Sequence, residues 1–408
     1  VAAEAVVSAR GGPGLPFAPG ELDAVLDPAG TGSMLPAAAY TDGEVLAWER
    51  EHFFARAWVC AARSDELRPG VRTAVRIGDD AVLVVRDHDG VLRGFFNVCR
   101  HRGSELQPCG TTVRRGFIDC PYHAWRYALD GRLTDTPRFA APPGFRPDDH
   151  GLVPVRVEEW RGWVMVNLSG DAPALADYVG DLDALLAPYA PERLVVGATH
   201  TYTSPCNWKL PIENYHECFH CRVIHPQLCV LSPPESGDNY HRGGMWVGGT
   251  MDLADGAETM SVDGRSAAGP LPGLTEAQRR EVVYVHLFPN LLISAHPDYV
   301  MTHRIEPVGP VESFIECRWL FAPEPAARPG FDPAYAVDFW DLTNRQDWAA
   351  CEAVQRGLRS RGYRPGPLAL DEDAVTDWVR MVAASYRSGR LVGGVPGRGG
   401  IPAGAGGA

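Results

Sequence analysis

Four residues in two short pairs constrain this chain more than any other feature. They are Cys99-Arg100-His101 and Cys120-Pro121-Tyr122-His123, in the pattern C-x-H-x18-C-x2-H. Zinc sites usually draw on two Cys pairs, or on a Cys pair followed by a His pair. Here each pair supplies one thiolate and one imidazole. That donor set suits a [2Fe–2S] cluster in which two thiolates hold one iron and two imidazoles hold the other. Neutral imidazoles in place of two thiolates remove negative charge and raise the potential, to roughly −150 to +300 mV. Such a centre accepts one electron from a mild donor and passes it on. A zinc knuckle is the competing reading of the same four residues.

The flanking sequence separates the two. The segment NVCRHRGSEL…GFIDCPYHAWRYALDGRL resembles the Rieske domain of ring-hydroxylating and N-demethylating oxygenases, through its C-R-H-R-G and C-P-Y-H-x-W boxes. The spacing between the pairs is a residue or two longer than is usual in that family, and the excess falls around Gln107–Arg115. The resemblance implies that Cys99, His101, Cys120 and His123 hold the cluster, with Tyr122 and Trp125 covering it. Cys109 matches no ligand position and reads as a loop or packing residue.

At 408 residues the chain is long enough for two domains, and its 45% hydrophobic and 22% charged residues allow a large core. The formal net charge of −13, with no basic run opposing it, argues against nucleic acid and anionic membrane surfaces as partners. Ten cysteines do not form a compact secreted framework: Cys206, Cys218, Cys221 and Cys229 crowd one stretch. The start, VAAEAVVSARGGPG, has no basic region followed by an apolar one, and no run of about 18 apolar residues occurs. A reduced, cytoplasmic protein without a membrane span is expected.

Periodicity divides the chain further. Residues 1–35 are rich in Gly, Pro and Ala and read as irregular. Thr41–Ala57 has helical spacing, with Thr41 or Asp42 as cap. From Trp58, short strands follow: Thr73–Ile77, Val82–Arg86, Leu92–Val98, Gly116–Asp119, Trp125–Leu129, Leu152–Glu158 and Gly162–Asn167. After Ser169, Leu175–Leu186 and Asn207–Arg222 read as helices. Leu194–Tyr202, Met245–Met251, Val282–Phe288, Leu291–Ala295, Tyr299–Pro307 and Ser313–Ala322 read as antiparallel strands. Pro333–Arg359 and Asp371–Arg387 are helical, and the Gly/Pro-rich tail has little to bury. The expected class is α+β, an all-β domain followed by an antiparallel sheet with late helices. The expected divisions are an N-terminal segment with a helix packing on the catalytic domain (1–57), a cluster domain (58–169), a catalytic domain (170–390) and a disordered tail (391–408).

A second constellation lies in Asn207–Leu228, NWKLPIENYHECFHCRVIHPQL. It holds His216, His220, His225, Glu213 and Glu217. His220 and His225 can face one point if a helix ends or bends between them. Two His and one carboxylate on one triangular face make a ferrous site with open positions. Asp338, Asp341, Asp347 and Glu352, in or beside the late helix, are candidates for the third ligand.

This segment resembles the N-W-K-x-x-x-E-N-Y-x-E-C-x-H-C form of the choline, glycine betaine and carnitine monooxygenase branch of the same family. The resemblance implies His220 and His225 as iron ligands, Glu217 as a carboxylate bridging toward the cluster, and Asn214 close to the metal. His216 falls at a variable position, behind the ligands or on the surface. Cys218 and Cys221 read as packing residues. Through the Q-D-x-x-x-C-E-x-x-Q-x-G-L segment, Asp347 is the third ligand. The fold implied is a Rieske domain before a helix-grip (START-like) catalytic domain. The cofactors implied are one [2Fe–2S] cluster and one mononuclear Fe(II). Electrons would come from NAD(P)H through a separate flavin/iron-sulfur reductase or ferredoxin, since no Gly-rich nucleotide fingerprint appears. A homotrimer is implied, in which His123 of one subunit meets Glu217 of the next. The expected reaction uses O2 to hydroxylate a small substrate, by N-demethylation or C–N cleavage of a betaine-like ammonium compound. Trp246, Tyr284, Phe288, Tyr299 and Trp319 are candidates for an aromatic cage. Hydroxylation of an aromatic or other apolar compound is the alternative within enzymes, and a [2Fe–2S] electron carrier is the alternative outside them.

Overall fold

The computed structural model describes residues 14–18, 20–27, 32–240 and 244–394. Asp42 opens helix α1 (Gly43–Glu49), its side chain accepting the Glu44 N–H at 2.8 Å. The expected helix over Thr41–Ala57 is regular only to Glu49. A wider-wound turn, Arg50–Phe54, completes it and buries Phe53 and Phe54.

Ten strands follow: β1 (Val59–Arg63), β2 (Val71–Ile77), β3 (Asp80–Arg86), β4 (Leu92–Phe96), β5 (Thr112–Arg114), β6 (Phe117–Asp119), β7 (Arg126–Ala128), β8 (Leu133–Asp135), β9 (Pro154–Trp160) and β10 (Trp163–Asn167). Seven form one antiparallel sheet in the order β1-β10-β9-β4-β3-β2-β5, and β6-β7-β8 form a small second sheet. The pair Cys99/His101 sits in the loop after β4, and Cys120/His123 joins β6 to β7. Between the sheets a compact apolar cluster packs Leu83, Phe95, Ile118, Trp125 and Tyr127 around the two cysteines. Sequence reading missed β1, β5 and β8. The last two are three residues long, too short to alternate. β1 is buried at every position, so it has no polar face to mark it.

The second unit is built on another seven-stranded antiparallel sheet: β11 (Val195–Ser204), β12 (Asp238–Asn239), β13 (Trp246–Asp252), β14 (Glu281–Leu287), β15 (Leu291–Ala295), β16 (Tyr299–Gly309) and β17 (Glu312–Phe321), in the order β11-β17-β16-β15-β14-β13-β12. Between β11 and β12 lie three short helices, α2 (Lys209–Tyr215), α3 (Cys221–Ile224) and α4 (Pro226–Leu231). Two long helices close the chain, α5 (Ala334–Leu358) and α6 (Asp373–Ser388). Helix α5 buries Val337, Trp340, Asn344, Trp348, Cys351 and Gln355 at spacings of three and four, so one stripe faces inward. That stripe meets the sheet where Trp340 Nε1 donates to Tyr299 Oη at 2.7 Å.

Three expectations are corrected. The helix over Asn207–Arg222 is broken at His216–His220, because the Glu217 carboxylate accepts the His220 N–H at 3.1 Å and turns the chain into a new helical start. The helix over Leu175–Leu186 splits at Gly180, whose φ of +54° leaves the right-handed region. The tail is ordered as far as Gly394, which exchanges backbone hydrogen bonds with Gly244, while 395–408 lie outside the described residues. Among the described residues no helix is long and apolar enough to cross a membrane.

Candidate active site

The cluster loops bring their four donors together. Cys99 and Cys120 are each 3% exposed. The rings of His101 and His123 lie with centroids 4.8 Å apart. Nδ1 of each is buried and has no hydrogen-bond partner. A buried imidazole nitrogen without a partner is costly, and two of them beside two buried thiols fit a mixed-ligand diiron cluster. Burial pushes the Cys99 thiol up. The Tyr127 hydroxyl lies 3.3 Å from Cys99 Sγ and accepts the Arg100 N–H at 3.0 Å, which leaves its own hydrogen for the sulfur. Hydrogen bonds to cluster sulfurs tune the potential. Trp125 stacks on His101 at 4.7 Å, whereas Tyr122 is exposed and lies against His123. The loops curl through left-handed residues, Gly103 at φ +72° and Ala124 at φ +59°. Glycine accepts that conformation without cost, and alanine at about 1–2 kcal/mol. Cys109 stays apart, its thiol near Glu105.

The second site forms where the broken helix meets α5. One ligand atom each from His220, His225 and Asp347 fall within 4.8 Å of one another. Nε2 of His225 is 2.7 Å from Asp347 Oδ1, and Nε2 of His220 is 3.4 Å away. The other ring nitrogens face outward to fixed partners. His220 Nδ1 meets Glu217 Oε1 at 2.5 Å, and His225 Nδ1 meets Gln346 Oε1 at 2.7 Å. Gln346 Oε1 also accepts from Gln227 Nε2 at 2.7 Å. An oxygen that accepts leaves His225 Nδ1 as the donor, so its Nε2 lone pair is turned toward Asp347. Burial opposes a charged His220, but hydrogen bonds to Asp347 and Glu217 outweigh it and push the imidazole up to about 9. Without a metal, a proton on His220 serves its pairing with Asp347; a divalent cation held by the same three groups would take that proton's place. The donor set of two imidazoles and one carboxylate suits ferrous iron with open positions.

A cavity of about 640 Å³ opens at these ligands. Asn214, Tyr215 and Glu217 line it, with Tyr284, His303, Trp340, Asn344 and Trp348. Of the five aromatic residues suggested for a cage, only Tyr284 lines it. Trp246, Phe288, Tyr299 and Trp319 are buried in the core instead, because the strand pattern alone does not say which sheet face receives the helices. The rings that sequence reasoning missed share the Asp347 face of α5. Trp340, Asn344, Asp347 and Trp348 follow the spacing i, i+4, i+7, i+8, and that signal was readable once Asp347 was chosen as anchor.

The remaining candidates sort cleanly. Asp341 accepts from Tyr202 Oη at 2.6 Å and pairs with Arg345, Asp338 is exposed, and Glu352 faces Arg356. His216 is not on the surface: it is 8% exposed, beside His286, and burial pushes it well down. Cys218 and Cys221 are not simple packing residues, since their sulfurs are bonded to each other. Among the described residues nothing from the two cluster loops lines the cavity.

Comparison with known proteins places both units. Residues 57–155 match the Rieske [2Fe-2S] domain, and residues 191–388 match the ring hydroxylating alpha subunit (catalytic domain). The chain is 32% identical over 381 residues to the glycine betaine monooxygenase oxygenase subunit of Chromohalobacter salexigens, covering 85% of this chain and 84% of that protein. It is 39% identical over 195 residues to the carnitine monooxygenase oxygenase subunit of Escherichia coli K12, covering 47% and 52%. Among solved structures it resembles the quaternary ammonium Rieske monooxygenase CntA in complex with gamma-butyrobetaine. That match has a TM-score of 0.74 at 25% identity, over 89% of this chain and 98% of the other.

Proposed function

Because the chain belongs to the ring-hydroxylating oxygenase family, with a Rieske domain and an alpha-subunit catalytic domain, we propose that it is the oxygenase component of a system that demethylates a small quaternary ammonium compound. Family membership makes it a Rieske non-heme iron oxygenase and sets aside the plain electron carrier. The observation that carries the substrate reading is the convergence of His220, His225 and Asp347 on a cavity walled by Tyr215, Tyr284, Trp340 and Trp348. Aromatic faces attract quaternary ammonium groups. The lining carboxylates Glu217, Asp238, Asp347, Asp371 and Asp373 add negative charge, and Arg222, the one Lys or Arg among the described lining residues, is paired with a sixth, Glu235. The glycine betaine and carnitine enzymes it resembles are named for substrates of this class.

His220, His225 and Asp347 would hold Fe(II), which would supply the activation of O2, and Cys99, His101, Cys120 and His123 would hold the cluster that would supply single electrons. One N-methyl group of the ammonium substrate is hydroxylated, and the balance at that group is N⁺–CH3 + O2 + 2e⁻ + 2H⁺ → N⁺–CH2OH + H2O. The hydroxymethyl ammonium then collapses to the tertiary amine, formaldehyde and a proton. The residues of this chain hold the reaction in place. Glu217 and Gln346 fix the two imidazole rings, α5 delivers Asp347, and the aromatic walls exclude water from the ammonium group. A separate reductase using NAD(P)H is proposed as electron source, and a head-to-tail homotrimer as the working assembly. Two exposed features support that assembly. Phe219, 65% exposed, follows Glu217 by two residues, and Tyr122, 56% exposed, lies against His123.

The test is a substrate screen with a generic reductase, following O2 uptake and formaldehyde for betaines, carnitine, choline and aromatic acids. Formaldehyde from an ammonium substrate is the expected result. Oxygenated aromatic product without formaldehyde refutes the substrate class.

A further inference from the structure

The segment Glu217-Cys218-Phe219-His220-Cys221 packs two proposed iron-site groups and a bonded Cys pair into five residues. The sulfurs of Cys218 and Cys221 are joined, and both residues line the iron cavity. Cys221 is 3% exposed, and its Sγ lies 3.8 Å from His220 Nε2, the nitrogen turned toward Asp347. None of the other eight cysteines is in a disulfide, Cys99 and Cys120 being the proposed cluster ligands. The eight include Cys206 and Cys351, which lie within hydrogen-bond reach of each other, buried, and still unbonded. This is therefore not a fold stapled by disulfides, and a bridge spanning only two intervening residues constrains the unfolded chain little. Its one distinction is its place, against the iron ligands and open to the substrate cavity.

We propose that Cys218 and Cys221 form a reversible dithiol–disulfide site that consumes hydrogen peroxide arising in the neighbouring iron cavity. The proposal rests on the oxygenase reading for its source of peroxide: when two electrons and O2 arrive without a reactive substrate, O2 + 2e⁻ + 2H⁺ → H2O2. One thiolate then attacks a peroxide oxygen. The O–O bond breaks, water leaves, and a sulfenic acid remains. The second thiol attacks that sulfur and expels a second water, so the sum is 2 RSH + H2O2 → RS–SR + 2 H2O. A cellular dithiol reductant returns the pair by thiol–disulfide exchange. The chemistry takes the oxidant next to His220 and His225 and spends it on sulfur, which is restored, instead of on imidazole, which is not. In the bonded form neither sulfur is available to compete with the two imidazoles and the carboxylate for iron.

The test counts thiols and histidine damage on the iron-loaded holoenzyme, so it does not depend on turnover of any substrate. The protein is reduced, freed of reductant, and given one equivalent of H2O2. Differential alkylation and peptide mass spectrometry then follow all ten cysteines and the His220 peptide. The expected result is loss of the Cys218 and Cys221 thiols before the partly buried Cys109 and Cys229, with full recovery on adding a dithiol. In the C218S/C221S variant the same dose should raise the oxidised (+16 Da) fraction of the His220 peptide at least threefold. Two results overturn the proposal. One is a pair that stays bonded in millimolar dithiothreitol while the protein remains folded. The other is a pair that stays reduced while Cys109 or Cys229 oxidises. The single variant C218S separates a folding defect from lost chemistry: folded C218S should accumulate a Cys221 sulfenic acid that dimedone traps, and a folded C218S without the adduct also refutes it. Absence of formaldehyde from every ammonium substrate would sink the demethylation reading alone, and leave the oxygenase family and the thiol result standing.

Discussion

Replacing Lys209 with methionine should destabilise the catalytic unit more than any change at the surface. Lys209 opens α2, and its ammonium meets Glu49 Oε1 at 2.6 Å with both side chains 0% exposed. Glu49 also takes the Trp208 indole N–H on Oε2 at 2.8 Å and the Tyr386 hydroxyl on Oε1. One carboxylate thus ties α1, α2 and α6 together. Burial pulls the Lys209 ammonium down, while Glu49 opposes that pull. In K209M the carboxylate stays buried with two neutral donors and no cation. Breaking one side of a buried pair costs about 3–5 kcal/mol. At about 2–4 °C per kcal/mol for a unit of this size, Tm should fall by about 6–20 °C. The double variant E49Q/K209M removes the stranded charge; its one amide oxygen can accept the Trp208 N–H while its NH2 donates to the Tyr386 hydroxyl, so it should recover more than half of the loss. Thermal unfolding followed by circular dichroism reads both, with iron content as a check that α2 still presents its loop. The reasoning is refuted if K209M loses under 1 kcal/mol, or if the double variant is no more stable than the single.

Other outcomes follow from the site. Q346A removes the acceptor of His225 Nδ1 and should weaken Fe(II) binding about 10–100-fold, with Q346E restoring most of it, measured by competition with a chelator. D347A should lower iron from three to two per chain while leaving the cluster's visible and EPR spectra unchanged, which metal analysis settles. Glu217→Ala, at saturating Fe(II), should keep both centres but slow reoxidation of the reduced cluster with substrate and O2 at least tenfold; a wild-type rate in stopped flow refutes its bridging role. Burial raises Glu213 from 4.5 to about 8, against the Tyr40 hydrogen bond and the Lys209 charge. Its folded pKa is the higher one, so its stabilising contribution is full below about pH 4.5 and is lost as pH rises through about 8. E213Q, which keeps the neutral form, should therefore gain on the wild type between pH 5 and 8, by a few kcal/mol at most, in urea unfolding at several pH values.

Both metal motifs were legible because coordination chemistry restricts residue type and spacing far more tightly than packing does. Cys99, His101, Cys120 and His123 could be grouped without knowing one strand, and the structure then leaves two buried Nδ1 atoms beside two buried thiols. Long elements were legible for a different reason: α5 repeats its apolar stripe over 25 residues, so single errors average out. What escaped depends on contacts between segments distant in the chain. Gln346 orients His225 only once α5 crosses α4, and nothing local in Arg345-Gln346-Asp347 says which neighbour it will hold. The break at His216–His220 escaped because helix propensity favours continuing, while Glu217 diverts the chain by bonding the His220 N–H and Nδ1 with its two oxygens. That same turn decides the fate of the cysteines. In an unbroken helix Cys218 and Cys221 would be ordinary neighbours at i, i+3, and packing was the natural reading. Once the helix is broken their sulfurs meet at the iron cavity. The carboxylate that orients a ligand ring thus also holds the turn in which the two sulfurs meet.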